Sequence, residues 1–151
     1  MSVLSWLKDT LAGKDAGELK FDSHEESFEG LNMKEVIIAH LAWKDRLDRL
    51  INGVSTEALD AEVIQKDNQC ALGKWIYQSE DKFRKEKEFI ELVETHKEFH
   101  KYAAKVVSKY HEGDFKEARN ILESDVNIFS NRVQLKIISL YRIIMTKKGF
   151  L

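Results

Sequence analysis

The chain has 151 residues, of which 43% are hydrophobic and 33% are charged, and it contains no proline and a single cysteine. This length is enough for one domain with a hydrophobic core, and the absence of the strongest helix breaker favours long helices. The net charge of −2 gives no electrostatic reason to expect nucleic acid or a membrane surface as a partner.

No segment has the length or composition of a membrane span or a signal peptide. The most apolar run, residues 137–145, contains Arg142 and is much shorter than a bilayer-spanning helix. The N-terminus is too short and too charged for a signal peptide. One cysteine cannot form an intrachain disulfide, so nothing marks the chain as secreted. We expect a soluble cytoplasmic protein.

Residues 1–31 are predicted to form a short helix and an arm. Apolar residues share one side of a helix over residues 2–12, and residues 13–31 are rich in glycine and acidic residues, as linkers often are. Phe21 and Phe28 are candidates to attach this arm to the core.

The first long helix is predicted to start at Asn32, which has capping-box spacing to Glu35, and to end at Asn52-Gly53. Its apolar face is formed by residues at three- and four-residue steps: Val36, Ile37, His40, Trp43, Leu47 and Leu50. A short helix follows over residues 55–65.

Two further helices are predicted in the middle of the chain. Asp67 is the expected N-cap of a helix that ends at Tyr77, which would place Cys70 in its first turn, and residues 78–81 are the expected turn. The next helix is predicted from about Lys82 to His111, with His96 and His100 on its apolar face.

The last helix is predicted from the capping pair Asp114 and Glu117 to about Met145. It is apolar on nearly all sides, which a helix exposed on one side should not be, so a subunit interface is expected there. The residues behind this expectation are Ile137, Ile138, Leu140, Tyr141, Ile143 and Ile144. Together the helices predict an all-α fold, an antiparallel four-helix bundle over residues 32–146.

Four residues form a candidate zinc site. His96 and His100 lie one helical turn apart and share a face, His40 comes from a second helix, and Cys70 from a third. Three imidazoles and a thiolate suit a closed tetrahedral Zn²⁺ site, which argues for a structural or sensory site rather than a hydrolytic one. Cys70 is also the candidate reactive thiolate, because a helix N-terminus favours the anion.

Each of these residues, taken singly, would also fit an ordinary place in a hydrophobic core. A buried histidine is often bonded to a carbonyl, and a lone cysteine is often a small core residue. Trp43 and Trp75 are typical core aromatics, Leu72 is a core residue next to the site, and Gly73 would allow close helix packing there. His24 and His111 are left out of the site.

Three segments of the chain resemble the signature segments of the chemoreceptor zinc-binding (CZB) domain family. They are HLAWKDRL at His40, CALGKWIY at Cys70 and HKEFH at His96, with the spacing H-x29-C-x25-H-x3-H. The resemblance covers about residues 32–145. It implies a four-helix bundle, usually dimeric, that holds zinc through His40, Cys70, His96 and His100, the same four that the spacing selects.

The resemblance also implies a regulatory function. Family members usually accompany an output module, such as a chemoreceptor signalling domain or a diguanylate cyclase, and are thought to sense zinc or oxidants such as hypochlorous acid through the zinc-bound cysteine. The sequence contains neither a GGDEF motif nor a long receptor coiled coil. We therefore expect a homodimeric, non-enzymatic zinc sensor that acts on such a partner in trans, or else a chain that buffers or reports zinc alone.

Two other functions remain open from the sequence. The zinc could be a purely structural staple in a dimerisation or adaptor protein. A di-iron site is less favoured, since such sites use Glu-x-x-His pairs and Glu98 should point away from the two histidines. A Cys-His nucleophile lacks any oxyanion-hole signature and any residue placed to orient the histidine.

Overall fold

The computed structural model describes Asp9 and residues 27–149. Most of residues 33–147 are helical, which confirms the all-α prediction. The elements in chain order are β1 (Ser27–Phe28), β2 (Leu31–Asn32), α1 (Met33–Ile51), α2 (Ala61–Ile64), α3 (Ala71–Phe83), α4 (Lys87–His111), α5 (Phe115–Ile121), a π turn (Leu122–Val126) and α6 (Asn127–Lys147). Apart from Asp9, the predicted helix over residues 2–12 lies outside the described residues, as does the arm as far as residue 26 with its candidate attachment residue Phe21.

The end of the predicted arm is a small β-hairpin. β1 and β2 pair antiparallel around a turn in which Glu29 has φ 50° and Gly30 has φ 82°. Phe28 is buried and packs edge-on against Tyr141, 5.5 Å between ring centroids, as well as against Trp75. The carbonyl of Glu29 accepts the indole N–H of Trp75 at 2.9 Å, and the Glu29 carboxylate pairs with two lysines, Lys82 and Lys148. The hairpin is therefore attached to both α3 and the end of α6.

α1 begins and ends as its sequence predicts. The Asn32 side chain accepts the Glu35 N–H at 3.0 Å, and Gly53, with φ 71°, follows the C-terminus. The buried face of the helix carries Met33, Val36, Ile37, His40, Leu47 and Leu50.

The middle of the chain differs from the prediction. Only residues 61–64 of the expected 55–65 helix are helical, and Asp60 is their N-cap. α3 starts after Cys70, which is itself the N-cap, so Asp67 is not the cap. The polar run 78–81 is not a turn: it lies on the outer side of α3, which continues until Phe83 is buried. α4 consequently starts at Lys87 rather than Lys82.

The C-terminal part is one long rod with an irregularity. Asp114 accepts the Glu117 N–H at 3.1 Å, which confirms the predicted cap. The rod passes through α5, the π turn and α6 without a break. Arg119 on α5 holds the end of α1 through Asp48 and Asn52. The single predicted helix is therefore present, but interrupted by a π segment.

Most of the apolar residues behind the interface expectation are buried within the chain itself, and Ile143 is half-buried. Ile137, Leu140 and Ile138 are at most 3% exposed, and Tyr141 and Ile144 are also buried. The apolar pattern of this helix thus has a cause that does not need a second subunit, and the homodimer stays a prediction. Among the described helices, none is long and apolar enough to cross a membrane.

Candidate metal centre

Helix α4 supplies two of the four predicted ligands. His96 and His100 are 0% and 3% exposed, and their rings meet edge-on with centroids 4.5 Å apart. Their Nε2 atoms are 3.0 Å from each other. The one-turn spacing therefore places both imidazoles on one face, as the sequence predicts.

His40 of α1 faces this pair across the core. Its ring centroid is 5.6 Å from that of His96. Its Nδ1 lies 2.9 Å from the carbonyl oxygen of Val36, and because a carbonyl can only accept, Nδ1 carries the proton. The lone pair is left on Nε2, which is buried and has no hydrogen-bond partner. An unpartnered imidazole nitrogen in a core is costly unless something binds it.

Cys70 completes the cluster from the N-terminus of α3. Its sulfur lies 3.2 Å from Nε2 of His96 and 3.5 Å from Nε2 of His100. The same sulfur accepts the backbone N–H of Gly73 at 3.3 Å, as an N-cap side chain does. Unlike the three histidines, Cys70 is only partly buried.

The loop before Cys70 is fixed by two contacts. The carbonyl of Ile64, at the end of α2, accepts Nδ1–H of His100 at 2.7 Å, which again leaves Nε2 free to bind a metal. The Tyr77 hydroxyl donates to Asp67 at 3.0 Å. A Cβ on Gly73 would lie 1.7 Å from the carbonyl oxygen of Asp67, so this backbone can approach α3 only because residue 73 is glycine.

The four side chains fit a tetrahedral zinc ion. Their ligand atoms all lie within 4.8 Å of one another. Zinc–nitrogen and zinc–sulfur bond lengths imply N–N edges of about 3.3 Å and N–S edges of about 3.6 Å in a tetrahedron. The shortest separations, 3.0, 3.2 and 3.5 Å, are already close to those edges. The unpartnered Nε2 of His40 supplies the fourth corner.

Burial prepares the histidines for a metal and leaves the cysteine protonated. Desolvation lowers the pKa of His40 to about 4 and that of His96 to about 2. The pKa of His100 is also lowered by burial, against the opposing bond to Ile64. Burial raises the pKa of the Cys70 thiol, although the N–H groups of the α3 N-terminus act in the opposite direction. The zinc-free chain therefore holds neutral imidazoles and a thiol, and metal binding must displace the thiol proton.

Of the residues expected near the site, Gly73 and Trp43 lie beside Cys70. Leu72 and Gly73 are buried in the first turn of α3, and Trp75 is buried further along the same helix. Trp43 lines the pocket that reaches Cys70 and is covered by the Arg46 guanidinium, 3.9 Å from the ring centroid. Sequence reasoning did not identify the Ile64 carbonyl, because a backbone group has no signature in the sequence.

The cluster lacks the carboxylate ligands that the di-iron alternative requires. Within the described residues, the one group of His, Cys, Asp and Glu side chains able to hold a metal contains no carboxylate. Glu98 lies 3.6 Å from Lys101 in an ion pair on the outer face of α4. This donor set of sulfur and nitrogen suits zinc, whereas di-iron bundles use several carboxylates.

A helical bundle with a closed Cys-His₃ cluster defines a zinc-binding domain, and comparison with known families agrees. Residues 40–107 match the family model of the chemoreceptor zinc-binding domain, a segment that contains all four cluster residues. Over that segment the chain is similar to the CZB family, which supports the resemblance seen in the sequence. No curated protein and no solved structure gives a significant match to the chain.

Proposed function

We propose that the chain is a zinc-dependent regulatory module in which Cys70 is the responsive ligand. The observation that carries this proposal is the unequal burial of the four ligands. The three histidines are at most 3% exposed, whereas Cys70 is partly exposed. Cys70 also lines a pocket of about 360 Å³ together with Trp43, Arg46 and Lys66. Of the four ligands, Cys70 and His100 line this pocket, whereas His40 and His96 do not. A small reagent in the pocket therefore reaches the sulfur without first contacting His40 or His96.

The sulfur also couples the metal to the backbone. Cys70 is the N-cap of α3 and accepts the Gly73 N–H, so one atom serves both the metal and the start of a helix. His100 connects the same metal to the end of α2 through Ile64. Loss of the Cys70 ligand therefore releases the loop over residues 65–70 and the first turn of α3, while His40, His96 and His100 stay in the core.

An oxidant can trigger this release. In the step we propose, the Cys70 thiolate attacks the chlorine of hypochlorous acid, an S–Cl bond forms, and the O–Cl bond breaks with release of hydroxide. Water then forms the S–O bond and displaces chloride with loss of a proton. Sulfur has lost two electrons, the chlorine leaves as chloride, and the product is a sulfenic acid. A neutral sulfenic acid is a poorer zinc ligand than a thiolate, so zinc affinity falls. A fall in free zinc reaches the same zinc-free state without oxidation.

The output of the module is proposed to lie in another protein. The proposed partner is of the chemotaxis type, in keeping with the chemoreceptor domains after which the matched family is named. A cyclic-di-GMP-synthesising enzyme is the other partner class that the resemblance implies. We also propose that the chain forms a homodimer and that the partner recognises this dimer. The same proposal includes a cytoplasmic location and no enzymatic activity. A reducing compartment suits it, because a thiol that must respond to oxidants has to be kept reduced.

The decisive experiment adds one equivalent of hypochlorous acid to the zinc-loaded chain and measures released zinc with a chromophoric chelator. We expect release in step with the loss of one alkylatable thiol, and reversal by a thiol reductant. A zinc-loaded sample that receives hypochlorous acid already quenched with excess free methionine gives the control. If zinc stays bound after the thiol is oxidised, redox sensing is wrong, while zinc sensing is tested by native mass spectrometry with and without chelator.

A purely structural zinc is the second candidate. It is favoured by the closed ligand set and by the near-complete burial of three of the ligands. It predicts slow exchange of the bound zinc and no zinc release by a stoichiometric oxidant. The regulatory module predicts that the oxidant releases zinc.

A further inference from the structure

Three buried side-chain atoms in the described part of the chain have no hydrogen-bond partner: Nε2 of His40, Nδ1 of His96 and Oε1 of Gln134. Buried polar atoms are nearly always paired, since leaving one unpaired costs about 1–3 kcal/mol. The first atom is a metal ligand. The other two lie in residues that are 0% exposed, and the zinc ion itself satisfies neither.

The two remaining atoms have opposite roles once zinc is bound. His96 uses Nε2 for the metal, so its Nδ1 must carry a proton and donate. The amide nitrogen of Gln134 already donates to the carbonyl and the hydroxyl of Ser130, at 3.2 and 3.3 Å. Its Oε1 is therefore left as an acceptor. One buried donor lacks an acceptor, and one buried acceptor lacks a donor.

The helices place these residues at the same level of the bundle. Glu91 of α4 pairs with Lys136 of α6, and Tyr102 of α4 stacks on Phe129 of α6 with centroids 5.4 Å apart. These two contacts show that the helices run antiparallel. His96 lies between the two α4 contact residues, and Gln134 lies between the two on α6. Both side chains are on the buried faces of their helices.

We propose that Gln134 is the positioning residue for His96: its Oε1 accepts Nδ1–H of the zinc-bound imidazole. Val36 and Ile64 hold the other two imidazoles through their carbonyls, and Gln134 gives the third the same support from α6. Such outer partners fix the ring orientation and increase the basicity of the ligand. The metal is thereby connected to the C-terminal helix, which supplies no ligand.

This inference rests on zinc binding at the cluster and not on zinc or oxidant sensing. The test compares Gln134→Met, which keeps the length of the side chain and removes the acceptor, with Gln134→Glu, which keeps an acceptor oxygen. Zinc dissociation constants are measured by competition with a chelator. We expect Gln134→Met to bind zinc about 10- to 100-fold more weakly and Gln134→Glu to bind within about threefold of the wild type or more tightly. Ser130→Ala is the matched control, because it removes the hydroxyl that the Gln134 amide nitrogen contacts and leaves both Oε1 and the Ser130 carbonyl in place.

A second readout does not depend on affinity or stability. In the zinc-loaded chain labelled with ¹⁵N-histidine, the Nδ1–H resonance of His96 should move upfield in Gln134→Met, while those of His40 and His100 stay in place. A folded Gln134→Met protein with the wild-type affinity and an unmoved His96 resonance would overturn the proposal. A wild-type chain that binds zinc without His96 would instead mean that the ligand set has failed.

Discussion

Replacing Cys70 by serine and by alanine separates the two tasks of its sulfur. The sulfur is a predicted zinc ligand, 3.2 Å from His96 Nε2, and it caps α3 by accepting the Gly73 N–H. Serine keeps a side-chain acceptor and is among the best N-cap residues, but a neutral hydroxyl is a poor zinc ligand. Alanine removes both tasks. The two variants should therefore lose zinc alike and differ only in the cap.

The expected free energies are well separated. Loss of an N-cap acceptor costs about 1 kcal/mol, so in chelator Cys70→Ala should unfold about 1 kcal/mol more easily than Cys70→Ser. For a chain of this size that difference lowers the melting temperature by about 3 °C. Zinc stabilises a chain that binds it by about 2.7 kcal/mol when the free ion is at 100 times its dissociation constant. Wild type should show this gain, and at the same free zinc both variants should show little of it.

The assay is urea unfolding followed by circular dichroism, in chelator and in a zinc buffer. A Cys70→Ser protein that gains as much from zinc as the wild type would refute ligation by the sulfur. Equal stability of the two variants in chelator would refute the capping role, and it would leave the metal assignment intact.

Three further predictions concern pH and packing. Zinc affinity should rise about tenfold per pH unit between about pH 6 and 8, because only the Cys70 thiol, whose pKa is raised, releases a proton on binding; a steeper slope in a chelator competition would show that the histidines are protonated. The zinc-free chain should lose stability as pH falls from about 6.5 towards 4. The cause is that histidine in the unfolded chain takes up a proton in this range, whereas folded His40, with its pKa lowered to about 4, does not. Urea unfolding midpoints at pH 7 and pH 5 test this, and the change should be smaller in His40→Asn. Gly73→Ala should weaken zinc binding and destabilise the chain despite the better helix propensity of alanine, because its Cβ would collide with the Asp67 carbonyl. Chelator competition and urea unfolding measure the two effects, and Lys74→Ala, at an exposed neighbouring position, is the control for both.

The candidate site was readable from the sequence because side-chain chemistry and helical spacing both appear in it. His96 and His100 are four apart on one face, and the cluster that the structure assembles contains the predicted His40 and Cys70 as well. What the sequence did not show is the support around these ligands. The Ile64 carbonyl is a backbone group. Gln134 is visible in the sequence as a lone amide on the buried face of an apolar helix. Its proposed role could not be predicted from that pattern, because the role depends on which helix lies opposite.

The errors in the helix boundaries have a common cause. Residues 78–81 have the composition of a turn, yet burial of Phe83 two residues later keeps α3 helical through them. Local composition is a weaker determinant than the burial of the next apolar residue. The hairpin at Glu29-Gly30 was missed for the opposite reason, because strands of two residues are too short to show alternation.

The π turn at Leu122–Val126 sets the angular phase between the two ends of the C-terminal rod. On the near side, Ala118 and Ile121 face the core while Arg119 reaches Asp48 and Asn52 of α1. An α-helix advances by about 100° per residue, and a π segment accommodates about one residue more than the α-helix it replaces. Deleting one residue from the turn would rotate α6 by that angle against α5. Because of the extra residue in the π turn, Arg119 on α5 can contact α1 while Ser130 and Gln134 on α6 still face the core.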